Sequence, residues 1–193
     1  SAASDVYKRQ VPNYLAYPST QWVDELFLST TSQKHNVSVV GSSENTNYLL
    51  SFGYLDNPGT LKNTGLKNYS GRINIETQIT KFLKVGTQTY ATFQSREPGN
   101  TSFTYMYQNT PAVTPYHDGK YGVSVDGAST SNLLADVMSR GGSYDDTRLN
   151  TTWYAKVNIL DGLTAEARFN YQTLFNETAT YSRKVDKQNF RTG

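Results

Sequence analysis

Between residues 69 and 79 the chain reads YSGRINIETQI, and its alternate positions separate by polarity. Tyr69, Gly71, Ile73, Ile75, Thr77 and Ile79 form one set, and Ser70, Arg72, Asn74, Glu76 and Gln78 form the other. Successive side chains of a strand point to opposite faces, so this pattern predicts a strand with one apolar and one polar face. Its length is about twice the ~5–6 residues usual in soluble proteins. It matches the ~9–11 residues that a tilted strand needs to cross a bilayer.

The same period recurs along the chain. It predicts strands over 35–41, 46–56, 68–80, 82–95, 148–160 and 163–176. In the second, Tyr48, Leu50, Phe52 and Tyr54 share a face. In the fourth, Leu83, Val85, Thr87, Thr89, Ala91 and Phe93 oppose Lys84, Gln88, Tyr90 and Gln94. In the last, Leu163, Ala165, Ala167, Phe169 and Tyr171 oppose Glu166, Arg168, Asn170 and Gln172. Short turns are expected near Ser43, Lys81 and Asp161, where Asp161-Gly162 is a strong hairpin signal. Longer connections are expected after Asn57-Pro58-Gly59, with loop as far as Lys67, and across 96–147, where Pro98, Pro111 and Pro115 interrupt any ladder. Within the second, 131–138 is expected to form a short helix. Residues 11–32 read as loop with one helical turn around Trp22 and Leu26, residues 184–193 as the start of another loop, and residues 1–10 as an unassigned, foreign tail.

Two architectures accept such alternation. A soluble β-sandwich, such as a surface adhesin or glycan-binding domain, buries the apolar face between sheets. A transmembrane β-barrel turns it to lipid and keeps a polar interior. Strand length favours the barrel. So does the sorting of short turns to one rim and long connections to the other. Mid-strand charges at Arg72, Glu76, Lys84, Lys156, Glu166 and Arg168 also suit a wet interior. The expected fold class is therefore all-β, a partial antiparallel transmembrane barrel of about six strands.

Composition narrows the chemistry. The hydrophobic fraction is 36% with 15 tyrosines, which fits strands with one wet face. A net charge of +2 with no basic cluster gives no reason to expect a nucleic-acid partner. There is no cysteine, which excludes disulfides and thiolate metal sites. No apolar run approaches the length of a transmembrane helix. No leader is visible at Ser1, so the barrel reading expects an export signal upstream. Enzyme motifs are missing: His35 and His117 are the only histidines, and Asp118, Asp126, Asp145 and Asp146 read as solvated loop acids. No catalytic residue, metal or cofactor is expected.

Specific segments then carry a resemblance. TQWVDELF at 20–27, QKHNVSVVGSSENTNY at 33–48 and SFGYLDNPG at 51–59 are similar to consecutive motifs of the SusC/RagA-type TonB-dependent outer-membrane transporters. YSGRIN at 69–74 and FLKVG at 82–86 fit the next hairpin, and Tyr154-Ala155 with Asp161-Gly162-Leu163 fit a later one. Lys34 and Ser42 depart from the commoner Asn and Gly. The resemblance covers roughly residues 20 to 183 and is loose in the middle, at Pro115-Tyr116 and Asp118-Gly119.

That resemblance implies early wall strands of a barrel of about 22 strands, following a plug domain. It implies short turns in the periplasm and extracellular segments around Gly59 and across 96–147. It also implies uptake of an oligosaccharide or peptide across the bacterial outer membrane, with TonB and a SusD-like lipoprotein lid as partners. Arg72, Glu76, Lys84, Lys156, Glu166 and Arg168 would then face the lumen or plug. Tyr105, Tyr107, Tyr116 and Tyr121 would contact cargo or lid.

Overall fold

The computed structural model describes residues 20–100, 103–109, 111, 113–117, 119–122, 132–184 and 187–188. The unassigned tail, Asp118, Asp126 and most of 184–193 lie outside these residues. Six strands form one antiparallel sheet: β1 (Gln33–Ser42), β2 (Thr46–Pro58), β3 (Thr64–Gln78), β4 (Leu83–Pro98), β7 (Arg140–Leu160) and β8 (Leu163–Ser182), hydrogen-bonded in that order. Between β4 and β7 lie a helix α2 (Phe103–Gln108), strands β5 (Tyr116–His117) and β6 (Lys120–Gly122), and a helix α3 (Leu133–Ser139). Helix α1 (Trp22–Leu26) precedes β1, and β9 (Lys187–Gln188) pairs in parallel with β6.

The register keeps one face apolar across all six strands. Val39 pairs with Leu50, Leu50 with Ile73, Ile73 with Thr89, Thr89 with Thr151, and Thr151 with Tyr171. Some hydroxyls on this face pair with one another, as Thr46 does with Thr77. The Thr89 and Thr151 hydroxyls lie 2.7 Å apart, and Thr151 is only 4% exposed. A buried hydroxyl without a partner would be costly. Near the long-connection rim an aromatic row crosses the sheet: His35, Tyr54, Tyr69 and Phe93, with successive ring centres 6.3, 5.0 and 6.2 Å apart. Two residues further along each strand the same face turns polar, at Asp56, Lys67, Ser95, Asp145 and Glu177. Residues 83–93 of β4 measure ~33 Å at ~3.3 Å per residue, which projects to ~25 Å at a tilt of ~40°. That is the height of the apolar band on an outer-membrane barrel.

The strands run longer than the alternation predicts. β3 begins at Thr64, so the connection after Pro58 is five residues (59–63) and not a loop reaching Lys67. Asn63 takes a positive φ of 59° to make the turn, a conformation that Asn tolerates better than most residues. The interval 96–147 is likewise not one irregular loop. β4 continues to Pro98 and β7 starts at Arg140, giving β7 and β8 lengths of 21 and 20 residues. Crossing a bilayer uses about half of that. The remainder extends the hairpin by roughly 30 Å beyond the apolar band at ~3.3 Å per residue. Its sequence, RGGSYDDT at 140–147 opposite FNETATYS at 175–182, is polar on both faces, so only the backbone ladder reveals it.

Three cross-strand pairs join a glycine to a tyrosine: Gly41 with Tyr48, Gly86 with Tyr154, and Gly141 with Tyr181. In each, a methyl group on the glycine would overlap the tyrosine ring. The ring lies across the bare backbone and supplies packing that the glycine lacks. At the β7–β8 turn only Gly162 takes a positive φ (85°), and a register shift between Asn158 and Leu160 absorbs the distortion.

The buried hydrophobic residues, among those described, lie outside the wall. Trp22 and Leu26 of α1, Met106 of α2, Val113, and Leu133, Leu134 and Val137 of α3 form one cluster at the long-connection rim. Hydrogen bonds tie this cluster to the β2–β3 tip: Leu28 N donates to Thr60 O (2.7 Å), Lys62 N to Leu26 O (3.0 Å) and Asn63 Nδ2 to Val137 O (2.7 Å).

Candidate functional site

The polar face of the sheet carries the candidate chemistry. Register places Arg72, Glu76, Lys84, Lys156, Glu166 and Arg168 together on it, opposite Ile73, Ile75 and Val85. Five of the six form a continuous network near the short-turn rim. Lys84 Nζ lies 3.2 Å from Glu76 Oε1, and the Tyr154 hydroxyl donates to Glu76 Oε2 (2.8 Å). Lys156 Nζ lies 3.7 Å from Glu166 Oε2, and Arg168 Nε donates to Glu166 Oε1. The Lys156 and Arg168 cations sit 5.2 and 5.8 Å from the centre of the Tyr154 ring. Tyr154 therefore joins the Lys84–Glu76 pair to the Lys156–Glu166–Arg168 group, a role that its pattern position alone did not reveal. Its opposite number is Gly86, which leaves the space its ring occupies.

Arg72 stands apart from that network. Its guanidinium lies 5.3 Å from the centre of the Tyr90 ring, a cation–π distance. It borders an open hollow of about 300 Å³ lined also by Asn74, Gln88, Tyr90, Asn150 and Thr152. No carboxylate among the described residues pairs with it. The face as a whole is cationic. β1 contributes Lys34, β3 Arg72, β4 Lys84 and Arg96, β7 Arg140, Arg148 and Lys156, and β8 Arg168. The carboxylates on it are Glu76, Asp146 and Glu166. Eight cations thus share the face with three anions, although the chain's net charge is only +2. The balancing acids, Asp56, Glu97, Asp145 and Glu177, stand on the opposite face, past the aromatic row.

The rim presents the tyrosines. Tyr105 and Tyr107 are exposed on α2, on either side of buried Met106. Tyr116 and Tyr121 are brought together by the β5–β6 hairpin, with ring centres 4.9 Å apart. Tyr116 is exposed, whereas Tyr121 is half-buried against the rim core. Burial, and then the hydrogen bond with Tyr116, pushes the Tyr121 phenol up to about 12. His35 lies beside Tyr54 in the aromatic row.

Asn132 is the residue that sequence reasoning missed. It is 1% exposed, and its Nδ2 donates to the carbonyls of Thr114 (3.1 Å), Pro115 (2.9 Å) and Gly122 (3.0 Å). Its Oδ1 accepts from Ala135 N (3.0 Å), capping α3. One side chain therefore positions the tyrosine hairpin on the helix. An Asn before an apolar run signals a helix cap, but the three carbonyls come from tertiary structure.

These features define a class: an antiparallel wall of outer-membrane barrel type, apolar on one face and charged on the other. No family model matches the chain. Among curated proteins it is similar to TonB-dependent receptor P26 of Formosa agariphila, 27% identical over 124 residues that cover 63% of this chain and 12% of that protein. TonB-dependent receptor P3 of the same organism is 24% identical over 177 residues, 83% of this chain and 17% of that protein. TonB-dependent receptor SusC of Bacteroides thetaiotaomicron is 29% identical over 73 residues, 38% of this chain and 7% of that protein. The RagAB peptide transporter shares the fold with a TM-score of 0.68 at 23% identity, over 84% of this chain and 20% of the matched one. The chain is thus similar to stretches of TonB-dependent receptors, SusC among them, and it spans less than a fifth of each of these curated relatives.

Proposed function

We propose that this chain forms part of the outer-membrane barrel of a TonB-dependent importer, which takes up an oligosaccharide or a peptide too large for porins. The observation that carries this reading is the matched pair of faces, apolar and charged, held in register over six long strands. The apolar face meets lipid. The polar face lines the lumen, where Glu76, Lys84, Lys156, Glu166, Arg168 and Arg72 support the plug. Short turns at 43–45, 79–82 and 161–162 lie in the periplasm, and the rim core with its projecting hairpin lies outside the cell. In this reading the exposed Tyr105, Tyr107 and Tyr116 stack on cargo or touch a SusD-like lipoprotein lid, with Tyr121 packed against Tyr116. TonB acts through the plug of the complete transporter, and transport rather than catalysis is the activity. The RagAB neighbour, described as a peptide transporter, supports uptake and leaves both cargo classes in play.

Paired substitutions in the complete transporter test the reading. Ile75→Arg puts a charge toward hydrocarbon and should cost ~2–4 kcal/mol near the midplane. Asn74→Arg points to the lumen and should leave insertion unchanged. Heat-modified electrophoretic mobility of outer-membrane fractions reads assembly. Equal assembly of both variants overturns the face assignment.

A further inference from the structure

The apolar face ends, at the long-connection rim, in an ordered row of charges. Past the aromatic row, Asp56 of β2 pairs with Lys67 of β3, Lys67 with Ser95 of β4, Ser95 with Asp145 of β7, and Asp145 with Glu177 of β8. Four residues along β3 from Lys67, ~13 Å at ~3.3 Å per residue, the same face dips. Gly71 there pairs with Phe52 and Ala91, and a methyl group added to it would meet no atom within 4 Å. The dip is an open hollow of about 420 Å³ walled by Val37, Leu50, Phe52 and Ile73. We propose that the charge row and the hollow form one site for a membrane lipid with a phosphoethanolamine headgroup: phosphate at Lys67 and Ser95, ammonium at Asp145, and one acyl chain over Gly71. The inference rests on the lipid-facing orientation proposed above and names the lipid that this face selects.

The order of charges sets the headgroup. Lys67 is exposed, and no carboxylate among the described residues pairs with it. Cation, hydroxyl and carboxylate stand on adjacent strands, ~4.8 Å apart. A phosphate accepts from the first two, and a two-carbon linker carries its ammonium one strand further, to the third. Asp145 and Glu177 stand directly opposite each other, where like charges repel. Asp145 Oδ1 is enclosed without a hydrogen-bond partner. An ammonium at this pair offsets both carboxylates. A headgroup with net negative charge would instead set that charge against Asp56, Asp145 and Glu177, and a quaternary ammonium has no N–H to donate. Depth sets the acyl chain. Tyr54, Tyr69 and Phe93 lie between the charge row and the hollow, and such aromatic rows mark the membrane interface. The charge row therefore lies at headgroup level, and Gly71 lies among the acyl chains.

The complete protein, purified in mild detergent, is mixed with equal amounts of phosphatidylethanolamine, phosphatidylglycerol and phosphatidylcholine of identical acyl chains and read by native mass spectrometry. The phosphatidylethanolamine adduct should dominate. Lys67→Gln and Asp145→Asn should each reduce that adduct ~2–5-fold, the worth of a partly exposed ion pair, and bring it toward the phosphatidylcholine level. Gly71→Leu fills the hollow from an open position and should reduce the adducts of all three lipids. Equal adducts of the three lipids on the unsubstituted protein overturn the proposal. So does a phosphatidylethanolamine preference that survives both charge substitutions. A phosphatidylglycerol preference overturns it as well, because Lys67 then acts as a plain anion site. Failed insertion of Ile75→Arg beside normal insertion of Asn74→Arg keeps the lipid-facing orientation intact in each of these cases, so the two ideas fail separately.

Discussion

The wall and the rim of this chain are held together by different physics. In the wall, every strand residue is placed by a backbone ladder, while side chains such as Phe52, Ile73, Trp153 and Phe169 remain exposed. Such a sheet has hydrogen bonds in place and its hydrophobic stabilisation still to come from hydrocarbon and neighbouring strands. In the rim, helices of five to seven residues are too short to persist alone. Burial of Trp22, Leu26, Met106, Val113, Leu133, Leu134 and Val137 fixes them. The comparison sets a wall whose apolar side chains are still uncovered beside a small core that is already packed at its edge.

The contrast can be tested from either side. The largest effect is expected from Trp22→Ala, which empties the rim core and should cost ~3–5 kcal/mol locally. Limited proteolysis of the complete protein should then cut between 99 and 139 while heat-modified mobility, which reports the wall, stays unchanged. Ile75→Arg gives the reciprocal outcome, loss of wall assembly, with the ~2–4 kcal/mol stated above. Next comes Asn132→Ala, which removes three hydrogen bonds to carbonyls and one from the Ala135 amide and should loosen the tyrosine hairpin by ~1–3 kcal/mol. Hydrogen exchange at Gly122 and Ala135 reads it, and unchanged protection there would remove Asn132 from its organising role. The smallest effect is expected from Tyr154→Phe, which deletes one hydrogen bond to a partly solvated carboxylate. About 0.5–1 kcal/mol is expected, visible only as a small shift in thermal midpoint. A shift as large as that of Trp22→Ala would mean that the polar network, and not the lipid face, governs the wall.

The sequence made the wall legible wherever one face was apolar. The alternation through Tyr69, Ile73 and Ile75, and through Trp153, Ala155 and Val157, assigns faces because a register slip of one residue would invert them all. It fell short where both faces are polar. Arg140 to Thr147 contains Gly141, Gly142, Asp145 and Asp146, residues poor in strand propensity, yet the ladder to β8 carries them. The same reason hides the start of β3 at Thr64 and Gly65. Helix α3 was visible from its apolar run, near 131–138. Helix α2, FTYMYQ, was not, because its aromatic composition gives no helical signal and Met106 alone turns inward. At the site, the shared face of the six charged residues was readable from parity. The bridging place of Tyr154, the hollow at Arg72 and the hub at Asn132 required distances between strands and loops that no local pattern encodes.

Each glycine that lies beneath a tyrosine ring turns two positions into one heritable unit. A larger residue at 41, 86 or 141 evicts the aromatic opposite it, and loss of that aromatic exposes bare backbone. Among descendants of this gene, position 41 should drift in step with 48, 86 with 154, and 141 with 181. Lineages that alter one member should have altered the other as well.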